Sequence, residues 1–154
     1  MMNQISHQKI LNKKESKEIL KAIKDQWGAD LKDDYVFLKN DKERVSIANR
    51  DIEKIDFERL KVNSVGVYIC ETQNGIRLSI EGSQLIGPLA TKNVLKLEDK
   101  PARDWLKGID IEYKGELRGF LIIQHNDDFL GCGKAVDGKI LNHVPKTRRI
   151  NASD

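Results

Sequence analysis

Two dipeptides, Asn74-Gly75 and Asp137-Gly138, stand between short runs rich in apolar and β-branched residues: VGVYICET and GIRLSIEG around the first, FLGCGKAV and KILNHV around the second. A two-residue hairpin connection needs positive φ at its central positions, which asparagine or aspartate followed by glycine accepts at little cost, so each dipeptide predicts a tight antiparallel hairpin. A hairpin in each half demands a sheet in each half. The first pair is expected at the centre of an N-terminal sheet, joined there by YVFLK (35–39) and RVSIA (44–48) around an Asn40-Asp41 turn. IEKIDFERL (52–60) reads as a brief helical connection.

Helical spacing enters between these strands. Asn12 followed by Glu15 forms a capping-box pattern, Ile19, Leu20, Ile23 and Trp27 recur on one face, and Gly28 supplies the stop. GSQLIGP (82–88) holds two of the eleven glycines and one of the three prolines, and it reads as the connection between two subdomains, 1–86 and 87–154. After it, KNVLKLE predicts a strand, PARDWLKG a short helix with Pro101 in its first turn and Gly108 at its end, and GFLIIQH an apolar strand. Short strands around a single helix favour a small β-barrel. The fold class is therefore α+β, with an α/β subdomain followed by a barrel.

Composition narrows the chemistry. A chain of 154 residues with 39% hydrophobic and 33% charged side chains has the make-up of a cytoplasmic globular protein. It contains no apolar run of the ~20 residues that a membrane span needs. MMNQISHQK lacks the features of a secretory signal. Cys70 and Cys132 lie in no metal-binding or redox spacing and read as buried small hydrophobes, so neither a metal nor a cofactor is expected. His7, His125 and His143 sit in no triad-like arrangement, and Asp127-Asp128 beside His125 reads as a polar hairpin loop. Gly131 and Gly133 lack the third glycine and following helix of a dinucleotide fingerprint. No enzymatic activity is expected.

The segment GCGKAVDGKILNHVPKTRR, Gly131 to Arg149, has three glycines and five basic side chains against one acid. On an extended strand Gly131, Gly133 and Ala135 share one face, which is stripped of bulk. That bareness admits close approach, either by packing at a barrel corner or by a sugar-phosphate backbone. Lys134, Lys139, Lys146, Arg148 and Arg149 are candidate phosphate contacts, Asn142 a candidate reader of a base edge, and His143 a candidate for stacking or hydrogen bonding to a base. No acid follows the last three cations before Asp154.

GFLIIQHNDDFLGCGKAVDGKILNHVPKTRR resembles the PUA-like RNA-binding tail of Fmu/Sun-type RNA cytosine-C5 methyltransferases. The likeness rests on Gly119 before the apolar strand, on Leu130-Gly131-Cys132-Gly133-Lys134, and on Gly138-Lys139 leading into Asn142 and Pro145-Lys146. Upstream, IRLSIEGSQLIGP and KNVLKLEDKPARDWLKGIDI resemble the rest of that module and the pre-PUA region of small archaeal ribosome-biogenesis proteins. The resemblance implies a pre-PUA domain over 1–86, a PUA-like barrel over 87–154, and RNA as the ligand. By analogy with PUA domains generally, it also places Lys107 and Gly108 beside the glycine strand and the terminal basic cluster. The methyltransferases' cofactor loop and proline-cysteine nucleophile have no counterpart here.

The expected function is non-catalytic binding of rRNA or tRNA in ribosome biogenesis or RNA modification, with an RNA methyltransferase or ribosomal proteins as candidate partners. Two rivals stand beside it. One is a protein-interaction adaptor that docks an RNA-modifying enzyme or a ribosomal protein. The other is a small-molecule pocket at the seam around Ser83, Gln84 and Gly87, which a closed, apolar seam would dispose of.

Overall fold

A computed structural model describes residues 4–5, 8–32, 34–50, 65–151 and 153. The predicted helical connection at 52–60, and His7, lie outside the described residues.

Six antiparallel strands form the first sheet in chain order: β1 (Gln4–Ile5), β2 (Gln8–Ile10), β3 (Tyr35–Asn40), β4 (Arg44–Asn49), β5 (Val67–Glu71) and β6 (Arg77–Leu78). The β3–β4 turn falls at the predicted position, where the Asn40 side chain accepts hydrogen bonds from the backbone N–H groups of Lys42 and Arg44. Helix α1 (Lys13–Trp27) carries the capping box: Glu15 N–H donates to Asn12 Oδ1 at 2.9 Å, and Asn12 N–H to Glu15 Oε1 at 3.1 Å. Gly28 ends it at φ 65°. Ile19, Ile23 and Trp27 form its buried stripe and pack with Phe37, Val45, Ile47 and Ile69 of the sheet.

The second sheet has the order β7-β9-β10-β11-β8, from β7 (Val94–Lys96), β8 (Ile111–Glu112), β9 (Gly119–His125), β10 (Asp128–Val136) and β11 (Lys139–Leu141). Strand β7 runs parallel to β9, the other neighbours are antiparallel, and the sheet curls as a half-barrel. At its second hairpin Asp137 has φ 47° and Gly138 φ 83°, as the Asp-Gly signal requires. Helix α3 (Asp99–Leu106) plugs one face with Trp105, which is fully buried against Leu121, Ile123, Ala135, Ile140 and Val144. The opposite face gives Ile122 and Cys132 to the core under α1. Burial on both faces explains why β9 reads as an unbroken apolar run, Leu121-Ile122-Ile123, rather than an alternating one.

Two expectations need correction. The β5–β6 hairpin forms, pairing Cys70 with Leu78 and Glu71 with Arg77, but it lies at the sheet's edge and β6 is only two residues long. The reason is Ser79. Its hydroxyl accepts from Gly82 N–H at 3.0 Å and donates to Tyr68 C=O at 2.7 Å, ending the strand and capping helix α2 (Ile80–Ile86). The stretch read as a Gly-Pro connection is thus a packed helix followed by a 3₁₀ turn, Gly87–Leu89. Gly82 is there for close approach: a Cβ would stand 1.9 Å from the Ile69 carbonyl oxygen, a contact no side chain survives.

Helix α2 also shapes β10. A bulge between Phe129 and Cys132 puts Gly131 at φ 94°, and the Gly131 N–H donates to the buried Ser83 hydroxyl at 2.8 Å, while that hydroxyl donates to Ile80 C=O. At the other end of β9, the side chains of Gln26 and Trp27 donate to Phe120 C=O at 2.8 and 3.1 Å. The two sheets are therefore tied by hydrogen bonds as well as by a shared apolar core.

Candidate nucleic-acid interface

Two basic surfaces emerge, and they are built differently. The first is a ledge along the end of the chain. After β11, Asn142 closes the corner: its side-chain amide donates to Trp105 C=O at 2.7 Å and Ile109 C=O at 3.0 Å, and its Oδ1 accepts from Val144 N–H at 2.8 Å. Both amide hydrogens and one lone pair of Oδ1 are held by backbone, so Asn142 positions the corner. Past Pro145 the chain forms a 3₁₀ turn, Lys146–Arg148, and Ile150 N–H donates to Leu106 C=O at 3.0 Å. The Arg149 side chain lies across Gly108 (φ 91°), where a Cβ would fall 2.4 Å from its Nε, and that Nε donates to Val144 C=O. The turn after α3, with Gly108, and the terminal segment are thereby brought together. Lys146 and Arg149 are exposed, and no acid pairs with Lys107, Lys146 or Arg149 among the described residues.

Arg148 differs. Its guanidinium donates to the Glu81 carboxylate of α2, so an acid 67 residues away in sequence does neutralise one of the three terminal cations. Lys139 is exposed at the Asp-Gly hairpin, opposite Glu112 of β8 and away from the ledge.

The glycines resolve toward packing. A Cβ on Gly133 would come within 2.5 Å of both Ile140 and Trp105 and 2.7 Å of Leu141 C=O, so its bare face receives the helix of the half-barrel. Gly131 serves the bulge. Lys134, on the other face of β10, is exposed and holds its ammonium 5.9 Å from the centre of the Phe120 ring.

The second surface is a hollow of about 360 Å³ between the two sheets. Arg44, Arg77 and Arg148 line it with Tyr68 and His143, and Ile80 and Leu130 supply apolar surface. Arg44 stands 5.6 Å from the centre of the Tyr68 ring, while Arg77 donates to Glu71 at 2.5 Å and to His143 Nδ1 at 3.1 Å. A guanidinium can only donate, so His143 Nδ1 accepts and the ring's proton sits on Nε2. Burial, followed by the charge of Arg77, lowers the His143 pKa below the ordinary imidazole value and keeps the ring neutral. Nε2 is buried and has no hydrogen-bond partner among the described residues. A smaller hollow of about 180 Å³ shares Arg77 and His143 and extends past Phe120 to Lys134.

Of the hollow's polar lining, His143 and Arg148 belong to the sequence-derived candidates; Arg44, Tyr68 and Arg77 do not. The seam itself is closed at Ser83 and Gly87, both buried, with the Phe129 ring filling the space before Gly87. The hollow lies at the N-terminal end of α2, where Ser79, Ile80 and Glu81 line it. Both thiols are fully buried and pushed up to about 12 by desolvation, consistent with small core residues. His125 pairs with Asp99 at 2.8 Å, and no group of three or more metal-ligating side chains occurs among the described residues. No helix among them is long and apolar enough to cross a membrane.

Comparison with known proteins bears most directly on the segment that carries the ledge. The family model of the PUA domain of methyltransferase RsmF matches residues 92–150. A ribosomal RNA small subunit methyltransferase F from Aeromonas salmonicida (strain A449) is 30% identical over 90 residues, 57% of this chain and 19% of that protein. The protein of the same name from Vibrio vulnificus (strain YJ016) is 27% identical over 136 residues, 88% of this chain and 28% of its own length. The chain thus spans less than a third of either relative. Over residues 92–150 it is similar to the RsmF PUA domain, and the resemblance to the tail of Fmu/Sun-type methyltransferases is borne out.

Proposed function

We propose that this chain binds RNA in the modification of ribosomal RNA, through cations on its half-barrel and without supplying a catalytic group. The observation that carries this is the Arg149 side chain lying across the Gly108 turn, next to Lys107 in sequence and one 3₁₀ turn after the exposed Lys146, within the segment that matches the PUA model. Phosphate oxygens are held by such cations irrespective of sequence, and they set the register in which other groups meet the RNA. The relatives' names assign them small-subunit ribosomal RNA, which favours rRNA over tRNA as the ligand. Methyl transfer would fall to a methyltransferase that the bound RNA also reaches.

The test is a salt titration of binding to a fragment of small-subunit rRNA and to a DNA of matched length. Each lost single-strand phosphate contact lowers the slope by ~0.7, so replacing Lys107, Lys146 and Arg149 by Ala should flatten it by about 2. An unchanged slope would remove the ledge from the interface. Absence of any RNA binding at low salt would favour the protein-adaptor reading instead.

A further inference from the structure

We infer that the hollow between the two sheets receives one unstacked RNA nucleotide, its base edge accepting a hydrogen bond from His143 Nε2–H and its phosphate meeting Arg44 and Arg77. This rests on the RNA-binding reading and adds a selective site to the ledge.

Three observations converge. At about 360 Å³ the hollow lies near the lower end of the roughly 300–1,000 Å³ range of small-ligand sites, and it joins an apolar surface, Ile80 and Leu130, to a few polar groups. Its charge is of the right sign, with guanidinium groups from Arg44, Arg77 and Arg148 set against the carboxylates of Glu71 and Glu81. Finally, Arg77 fixes the tautomer of His143, leaving a buried N–H donor with no acceptor among the described residues. A buried donor is costly to leave unmade, and a carbonyl or ring nitrogen on a base edge is an acceptor of the required kind.

A nucleotide stacked within a duplex cannot enter such a hollow, whereas one splayed from a bulge or loop can, which is how proteins commonly read RNA. The ledge and the hollow would then divide the work. Exposed cations hold the backbone, and the hollow selects RNA that has an extruded nucleotide.

The experiment compares a hairpin RNA carrying a single-nucleotide bulge with the same hairpin fully paired, by fluorescence anisotropy. Wild-type protein should favour the bulged form by about tenfold, the scale of one base contact. Arg77→Met and His143→Phe should each bring that ratio close to one. Nitrogen-15 NMR of the wild-type imidazole is the second readout and does not depend on how either variant folds. The His143 Nε2 signal should shift on adding bulged RNA and stay in place with paired RNA. Equal affinities with an unmoved signal would overturn the inference while leaving the RNA-binding reading intact. Failure of both hairpins to bind at low salt would take both down. An equal shift from the nucleoside 5′-monophosphates, with no preference between the hairpins, would assign the hollow to free nucleotides and overturn its RNA role.

Discussion

The ledge and the hollow are both basic surfaces, yet they come from opposite kinds of sequence. Lys146 and Arg149 lie close together near the chain's end, and only Lys107 and Gly108 are brought to them from elsewhere. The hollow gathers Arg44, Tyr68, Arg77 and His143 from two sheets, and the Arg77–His143 contact alone spans 66 residues. One surface is a local property of a terminal segment. The other exists only because α2 and β10 hold the two sheets in register, so damage to packing should abolish the hollow first and the ledge only when the half-barrel itself fails.

The most severe way to break that comparison is Gly133→Val. A Cβ there meets Trp105 and Ile140 at 2.5 Å and a backbone carbonyl at 2.7 Å, so a branched side chain has nowhere to go. Overpacking ordinarily costs about 1–3 kcal/mol, and the backbone contact places this variant at or beyond the top of that range. Thermal unfolding should show a large loss, with binding lost through both surfaces. Unchanged stability with weakened RNA binding would return Gly133 to the ligand surface. Asn142→Ala comes next. It removes three hydrogen bonds and leaves the carbonyls of Trp105 and Ile109 without that partner, for an expected loss of about 1–3 kcal/mol in denaturant titration. Base preference should stay as in wild type if Asn142 is a corner clamp.

How far the sequence reveals each region follows from the range of the forces involved. The capping box of α1, its stripe of Ile19, Ile23 and Trp27, and the two-residue turn at Asp137-Gly138 depend on neighbours a few residues away, and all were legible. Asn74-Gly75 instead sits in a five-residue connection, 72–76, because Glu71 pairs with Arg77 and Asn74 does not take the positive φ that a two-residue turn needs. The β6 strand was misjudged because Ser79 works as a cap only when Gly82 lets the helix approach the Ile69 carbonyl, a contact between distant segments. The same Gly82 and Gly87 looked like loop punctuation, whereas they are close-packing residues facing Ile69 and Phe129. Asn142 looked like a reader of bases because its partners, Trp105 and Ile109, lie over thirty residues away. Arg77 offered no signal beyond its place after a hairpin turn.

Arg148 sharpens the comparison at smaller scale, since it neighbours the ledge in sequence but lines the hollow in space. Lys146→Ala should lower the magnitude of the salt slope by ~0.7 on single-stranded RNA. Arg148→Ala should change it much less, because its guanidinium already pairs with Glu81 and releases fewer counterions on binding. Equal changes from the two variants would mean that the Glu81 pair opens when RNA binds. Glu81→Gln separates the cases: freeing Arg148 should steepen the slope in the first and leave it unaltered in the second.

The smallest effect belongs to pH and to the hollow alone. His143 has its pKa lowered in the folded chain, first by burial and then by Arg77. The unfolded chain therefore binds the proton more readily, and stability must rise with pH wherever the two states differ in protonation. The stabilising contribution is complete above the unfolded value of 6.5 and declines as pH falls from there through the folded pKa. Urea midpoints measured from pH 7.5 down to pH 5, at buffer values chosen to bracket the model-compound histidine pKa of about 6.5, should fall for the wild type. His143→Phe should remove part of that decline, because phenylalanine has nothing to protonate. His125→Asn is the control, since that imidazole lies at the far end of β9 beside Asp99 and outside the hollow. If the His143 variant kept the full wild-type decline, the neutral, Arg77-held imidazole would not be the group that titrates, and the donor assigned to Nε2 would lose its basis.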